Sequence, residues 1–280
     1  MPTTYAHYRF GNDVFERLPE QLQNEIRPYR QLFDIGLHGP DILFYDNPFR
    51  QNKINTLGRV IHKQKGHTFF SQAKIIYDSS LGKQKLCAYL YGFICHYTLD
   101  YMCHPYIQKM IDVSGIHHNK IEAEFDCYLM RKDGLSPEKT LTIDHLKPTV
   151  GNSLTIAECF PSVNAGQIRQ TLHWMRIMLR LIHAPRGLKR VIILSILKAI
   201  HQYDKLGGLI MSPTADPDCQ YYCCLLDKLY ENAIDECIRN ILHYRDTLEN
   251  NTPLPEQFDK NFSYGKHWRS LSFEDIYPNA

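Results

Sequence analysis

The chain has 280 residues, of which 44% are hydrophobic and 22% charged, and its formal net charge is +2 at pH 7. This composition is typical of a soluble globular protein that is long enough to build a substantial core. The near-neutral charge and the lack of a block rich in lysine and arginine exclude a strongly basic surface. Bulk nucleic acid is therefore not an expected partner.

Helical patterns separated by turns rich in glycine and proline dominate the chain, and no strand-like alternation of any length occurs. The predicted helices cover segments 10–33 (interrupted by Pro19 and Pro28), 81–104, 119–132, 164–183, 188–203 and, after a proline-rich turn, a last segment to about 248. The predicted irregular segments are 36–41 with a short buried stretch at 42–45, then 144–165 with at most a short helix, and 250–280. We predict one all-α domain over residues 1–280.

The segment from Leu81 to about His104 is apolar on nearly all sides, which predicts a helix at the centre of the core. A proline disfavours helical geometry at the residue before it, and Pro105 follows His104 directly. We therefore expect this helix to end near His104 and to leave that side chain at an exposed end.

Three features bear on the compartment. Nine cysteines, an odd number without a pairing pattern, favour free thiols in a reducing environment. Residues 1–7 have neither the basic nor the apolar region of a secretory signal. The longest apolar run, 191–197, ends at Lys198 and is shorter than the ~18 residues that read as a membrane span. We expect a cytoplasmic protein without a transmembrane segment.

Two short motifs combine a histidine with a carboxylate at helical spacing. His96 and Asp100 are one turn apart, as are His118 and Glu122, so each pair shares one helix face. Imidazole nitrogens and carboxylate oxygens bind zinc at about 2.0–2.2 Å, and a site without thiolates typically keeps an open position for water. The motifs therefore predict a catalytic metal centre rather than a structural one.

The order and spacing of these residues resemble the zinc-dependent phospholipase C family of bacteria, which has an all-α fold around three zinc ions. The similarity runs from residue 7 to about residue 134. It comprises an early histidine, an aspartate after Gly39-Pro40, a histidine before the central helix, a His-Tyr-x-x-Asp motif, a later histidine and a His-x-x-x-Glu motif. The matching residues are His7, Asp41, His62, His96, Asp100, His104, His118 and Glu122.

The resemblance implies a role for each of these residues. One zinc ion would be bound by Asp41, His62, His96 and Asp100. A second would be bound by His104, His118 and Glu122, and a third by His7 and a bridging Asp100. Asp41 would also act as the general base or orient the attacking water. Asp126 follows Glu122 on the same helix face and is a candidate to support the ligands.

The histidine before the central helix has two candidates. We prefer His62, because residues 58–62 look like a helical segment that leads into the site. His67 remains an alternative, although it lies in a turn-like context after Gly66.

Two features differ from the secreted enzymes of that family. Those enzymes begin with a tryptophan whose amine and carbonyl hold the third zinc, whereas this chain begins with Met1-Pro2 and has tryptophans only at 174 and 268. In addition, His104 precedes a proline here instead of following one. The resemblance therefore implies two zinc ions and leaves fewer ligands for a third.

These features predict a metal-dependent phosphodiesterase that cleaves a phospholipid or related phosphodiester on the glycerol side with a zinc-activated water. Two alternatives stay open. One is a zinc nuclease or nucleotidase of the same fold, which would need aromatic rings to stack with bases. The other is a non-catalytic metal-binding cytosolic relative. A helical phosphohydrolase of the HD type is disfavoured, because no His-Asp dipeptide occurs. The sequence predicts neither the head group nor the oligomeric state.

Overall fold

Eleven α-helices, named α1 to α11, occur in the residues that the computed structural model describes, which are 4–185, 187–202, 206–265 and 267–276. No β-strand occurs within these ranges, so the prediction of an all-α fold is confirmed. The helices are α1 (Thr4–Arg17), α2 (Glu20–Ile26), α3 (Arg30–Gly36), α4 (Lys53–Lys63), α5 (Gly66–Ser79), α6 (Lys83–Ser114), α7 (His118–Lys132), α8 (Val150–Glu158), α9 (Ala165–Ile182), α10 (Leu188–Ala199) and α11 (Pro217–Asn250).

Helix boundaries follow local sequence. The predicted helical segment 10–33 is divided at its two prolines, since Pro19 caps α2 and Pro28 lies in a 3₁₀ turn before α3. Asn164 accepts a hydrogen bond from the backbone N–H of Gln167 and so begins α9 where predicted. Helix α10 ends at Ala199, and Tyr203, where we expected its end, lies outside the described residues.

Helix α6 is the centre of the fold, as predicted, with buried residues on all sides and extensive packing against α3 and α11. Two glycines allow α3 and α6 to approach closely. A Cβ atom on Gly92 would lie 2.1 Å from the carbonyl oxygen of Phe33, and one on Gly36 would lie 2.3 Å from that of Tyr89. Any larger residue would have to separate the two helices.

The prediction that α6 ends near His104 is wrong, because the helix continues to Ser114 with Pro105 inside it. A proline in a helix interior removes one backbone hydrogen bond and clashes with a carbonyl, which costs about 3 kcal/mol or more. Ile107 and Met110 lie in the continuation and are buried in the core. Burying such side chains contributes about 1.5–3 kcal/mol each, so tertiary packing outweighs the local preference. His104 therefore lies within the helix and not at its end.

The segment after α11 is irregular, as predicted, and contains three short 3₁₀ turns. It is nevertheless part of the core, since Phe258 and Phe262 are fully buried. The hydroxyl of Tyr97 donates to the carbonyl of Lys260 at 2.9 Å, and the N–H of Gly66 donates to the same oxygen at 2.8 Å. This segment is thereby fixed against α5 and α6.

Among the helices that the structure describes, none combines the length and the apolar composition that a bilayer crossing requires.

Candidate metal centre

The eight side chains singled out from the sequence converge on one place, although they come from five elements. These elements are α1, a 3₁₀ helix at Gly39–Tyr45, α4, α6 and α7. Seven of the eight line a cavity of about 250 Å³. The eighth, His96, lies behind the cavity wall with its Nε2 atom 3.2 Å from Oδ2 of Asp100. Residues separated by up to 115 positions therefore form a single polar cluster.

Helix α6 supplies three of these side chains from one face. His96, Asp100 and His104 follow one another at intervals of four residues, so they are stacked on successive turns. Asp100 lies between the two imidazoles, with its Oδ1 atom 3.7 Å from Nε2 of His104. The stacking depends on the continuation of the helix through Pro105, because a helix that ended earlier would not hold His104 in register.

The cluster contains three groups whose donor atoms lie within 4.8 Å of one another. In the first, Nε2 of His62 is 2.9 Å from Oδ1 of Asp41. In the second, Oε1 of Glu122 is 3.2 Å and 3.0 Å from the Nε2 atoms of its two histidines. The groups are Asp41, His62 and His96; His104, His118 and Glu122; and His7, His96 and Asp100.

Buried atoms without hydrogen-bond partners test whether a cation fits this cluster. Among the described residues, both ring nitrogens of His96, Nδ1 of His7 and Oδ2 of Asp100 are buried and lack a hydrogen bond. Nε2 of His96 and Oδ2 of Asp100 lie 3.2 Å apart as an ion pair but form no hydrogen bond. Buried polar groups are normally hydrogen-bonded, so four such atoms in one place require an explanation. A metal ion accepts lone pairs from nitrogen and carboxylate oxygen alike. The residues present therefore fit a metal ion.

Two of the histidines are oriented by backbone carbonyls. Nδ1 of His62 lies 2.7 Å from the carbonyl oxygen of Gly58, and Nδ1 of His104 lies 2.6 Å from that of Phe262. An N–H at Nδ1 that donates to a carbonyl leaves the Nε2 lone pair directed at the cavity, which is the usual arrangement of metal-binding histidines. Phe262 thereby ties the C-terminal segment to the cluster.

The charges of the cluster compensate one another. Burial alone would raise the pKa of Asp100, but the neighbouring histidines, His104 first, hold it well below its ordinary value. Burial would lower the pKa of His104, whereas Asp100 and Glu122 raise it to about 9. The carboxylates therefore stabilise positive charge in this cavity, whether as imidazolium or as a bound cation.

The backbone of the 3₁₀ helix at Gly39–Tyr45 brings Asp41 to His96. Gly39 has a φ of +48°, and a Cβ atom on it would lie 2.2 Å from Cδ2 of His96. Only glycine combines this backbone conformation with this close approach. Beneath it, His38 and His145 form a buried pair with their Nε2 atoms 2.7 Å apart.

Asp126 and the start of α1 position His7. The carboxylate of Asp126 accepts hydrogen bonds from the backbone N–H groups of Tyr5 and Ala6, at 3.1 Å and 2.7 Å. It therefore supports the site through the backbone next to His7 and not through the ring. Met1 and Pro2, which stand where the secreted enzymes have their tryptophan, lie outside the described residues.

His67, the alternative to His62, lies on the first turn of α5, where its exposed ring is 3.3 Å from the hydroxyl of Ser71. It does not line the cavity.

Sequence reasoning missed two parts of the cavity wall. Arg59 and Lys63 flank His62 on α4 and line the cavity, and their spacing around His62 could have revealed them. Residues 262–264 line it as well, but no pattern in the irregular segment pointed to them.

The comparisons agree with this geometry. A family model described as zinc dependent phospholipase C matches residues 6–173, a range that contains all eight side chains of the cluster. Comparisons with curated proteins and with solved structures gave no match. Since the family model matches more than half of the chain, the protein belongs to the zinc-dependent phospholipase C family.

Proposed function

We propose that this protein is a metal-dependent phosphodiesterase that hydrolyses a glycerophospholipid or related phosphodiester on the glycerol side. The observation that carries the proposal is the convergence of five histidines and three carboxylates on an open cavity that also contains Arg59 and Lys63. A phosphodiester is an anion, and these two exposed cations stand at the cavity wall where it would bind.

We assign the metal ligands as the sequence implied. One zinc ion would be held by Asp41, His62, His96 and Asp100, a second by His104, His118 and Glu122, and a weaker third by His7 with Asp100. When bound, zinc supplies a Lewis acid and a water of lowered pKa. Oδ1 of Asp41 is paired with His62, and its second oxygen is left to orient or deprotonate the attacking water.

A groove beside the cavity supports a lipid substrate. Its volume is about 780 Å³, and it shares Lys63, Ser263 and Tyr264 with the cavity. Its apolar wall includes Met102, Pro105, Tyr106, Trp268 and Leu271. This wall would accommodate the glycerol and the first part of the acyl chains while the phosphate remains at the metal centre.

The test uses purified protein with its metal content measured by elemental analysis. Soluble short-chain glycerophospholipids and a chromogenic phosphodiester serve as substrates, and the products are identified by mass spectrometry. We expect a diacylglycerol and a phosphorylated head group. His67→Ala is the matched control for His118→Ala, because His67 is an exposed histidine outside the cavity. Release of phosphatidic acid, or metal binding without any turnover, would refute the proposal.

A zinc nuclease remains the second candidate, and Tyr264 is the observation that favours it. Its partly exposed ring stands where the cavity meets the groove and offers a face to a nucleobase. The ring of Trp268 is less suited, because the guanidinium of Arg269 already lies 4.5 Å from its centroid. Hydrolysis of a single-stranded oligonucleotide faster than of the short-chain lipid would favour the nuclease.

We also propose a reducing compartment such as the cytoplasm. None of the nine cysteines, all of which are described, forms a disulfide, and eight of them are buried or half-buried. Fractionation of the source cells with detection of the protein would test this location.

A further inference from the structure

Helix α10 exposes aliphatic side chains that a folded protein usually buries. None of its residues is fully buried, and Leu188, Val191 and Ile196 are 75%, 60% and 53% exposed. On the preceding helix, Ile177 and Leu181 are 49% and 48% exposed. The α9–α10 surface is defined here as Ile177, Leu181, Leu188, Val191, Ile192 and Ile196. Exposed apolar residues that form a patch mark an interaction site.

The outer face of α10 is apolar although its inner face is already anchored. At about 100° per residue, positions 188, 192, 196 and 199 fall on one side, and positions 190, 193, 194 and 197 fall on the other. On the inner side, the guanidinium of Arg190 donates to the carbonyl oxygens of Ala184 and Met211, at 3.2 Å and 2.8 Å. The outer face is therefore the apolar side of a helix whose inner side is held by the hydrogen bonds of Arg190.

Charge indicates what the surface would bind. Residues 159–203 contain seven lysines and arginines and no aspartate or glutamate, although the whole chain has a net charge of only +2. Lys189 and Lys198 fall on opposite edges of the outer face of α10, and both are exposed, although Nζ of Lys189 also donates to the carbonyl oxygens of Arg180 and His183 at 2.8 Å and 2.6 Å. An apolar face bordered by lysines is the pattern of a helix that lies in the interface of an anionic bilayer.

Helix α9 connects the surface with the region of the metal centre. Helix α9 packs against the 3₁₀ helix that carries Asp41. Phe49, which follows that helix and is 74% exposed, meets Trp174 of α9 at a ring distance of 6.2 Å. The family model ends its match at residue 173, just before the exposed stripe begins, so the family match does not account for this surface.

We propose that the α9–α10 surface docks this protein on membranes that contain anionic lipids. The apolar side chains insert between head groups, while the positive charge of this part of the chain attracts the anionic lipids. A second copy of the chain is the less suitable occupant, because two surfaces with this excess of positive charge repel each other. Docking uses residues outside the metal centre and does not depend on turnover.

The test measures cosedimentation with phosphatidylcholine vesicles, with and without phosphatidylserine, in the His118→Ala background so that hydrolysis cannot consume the vesicles. We expect binding to the anionic vesicles only, and release at high salt. The pair Ile192→Asp and Ile196→Asp should weaken binding by tenfold or more, and Lys198→Glu by about fivefold. Ile75→Asp on α5 is the matched control, because Ile75 is an isoleucine exposed to 71% elsewhere, and it should bind as the parent does.

Two results would overturn the proposal. One is equal binding by the parent and by the double aspartate variant. The other is a dimer in sedimentation that the double variant dissociates, since that would identify a second copy as the occupant. Turnover of a soluble short-chain substrate separates this proposal from the proposed function. If the double variant with an intact metal centre retains that turnover, loss of vesicle binding reports on the surface alone.

Discussion

The metal centre and the α9–α10 surface reverse the usual distribution of residues in opposite ways. The metal centre buries His96, Asp100 and Glu122, whereas the surface exposes leucine, valine and isoleucine. Burying ionisable groups costs free energy unless they are paired or bind a metal, and exposing aliphatic groups forgoes the free energy of burial. The comparison teaches that the informative positions of this fold are those where burial contradicts residue type.

The largest expected effect is that of His118→Ala, which asks whether the buried polar cluster serves metal binding or the fold. We expect loss of metal and a fall in turnover beyond the roughly 100-fold effect of losing a supporting residue. The helical circular dichroism signal should persist, because a core of this size does not need a metal to form. Elemental analysis measures the metal content, and thermal unfolding measures the stability of the fold. If His118→Ala unfolds while His67→Ala remains folded, the cluster is required for the fold itself and this expectation is wrong.

The next largest effect concerns how tightly the cluster is packed. Gly39→Ala places a Cβ atom against His96 at a φ of +48°, whereas Gly265→Ala has a similar φ of +63° and nothing within 4 Å. The left-handed backbone alone costs about 1–2 kcal/mol. We therefore expect Gly39→Ala to lower the free energy of unfolding by more than Gly265→Ala does, and also to weaken metal binding. If urea unfolding shows the same loss of unfolding free energy for both variants, the ring of His96 can move away from the added Cβ atom at little cost.

A pH series sharpens the electrostatic side of the comparison. The pKa of His104 is raised to about 9, so below that pH its proton competes with the metal. Because the pKa of His104 in the folded state lies above its unfolded value of about 6.5, protonation of this ring stabilises the fold, and the full contribution is present below about pH 6.5. The contribution is lost as the pH rises from about 6.5 to about 9. Chelated protein should therefore lose stability between these values, while metal affinity increases. Calorimetry and zinc titration measure the two opposite trends, and parallel trends would contradict the assignment.

The smallest effect is expected at His7. The group of His7, His96 and Asp100 shares His96 with the group of Asp41 and His62. Because Asp100 is also assigned to the first ion, a third ion has few ligands of its own. A chelator should remove this ion first, and His7→Ala should reduce turnover much less than His118→Ala. Three ions of indistinguishable affinity would contradict this order and would indicate a further ligand.

Helical periodicity was sufficient to predict the all-α class, the central position of α6 and the two motifs in which a histidine precedes a carboxylate by one turn. The resemblance to the zinc-dependent phospholipase C family, and not periodicity, singled out the full set of eight side chains that converge at the cavity. The two motifs are local features, because a spacing of four residues places two side chains on one helix face whatever the rest of the fold does.

Three features needed the tertiary structure. Helix α6 passes Pro105 because distant core contacts outweigh a local hydrogen bond. Phe262 reaches His104 because the irregular C-terminal segment packs on α5 and α6, and irregular backbone has no period from which a contact could be predicted. Helix α10 is apolar on both faces, so its sequence could not tell which side would meet the protein and which would meet solvent. In each case the deciding contact joins residues that are far apart in the chain.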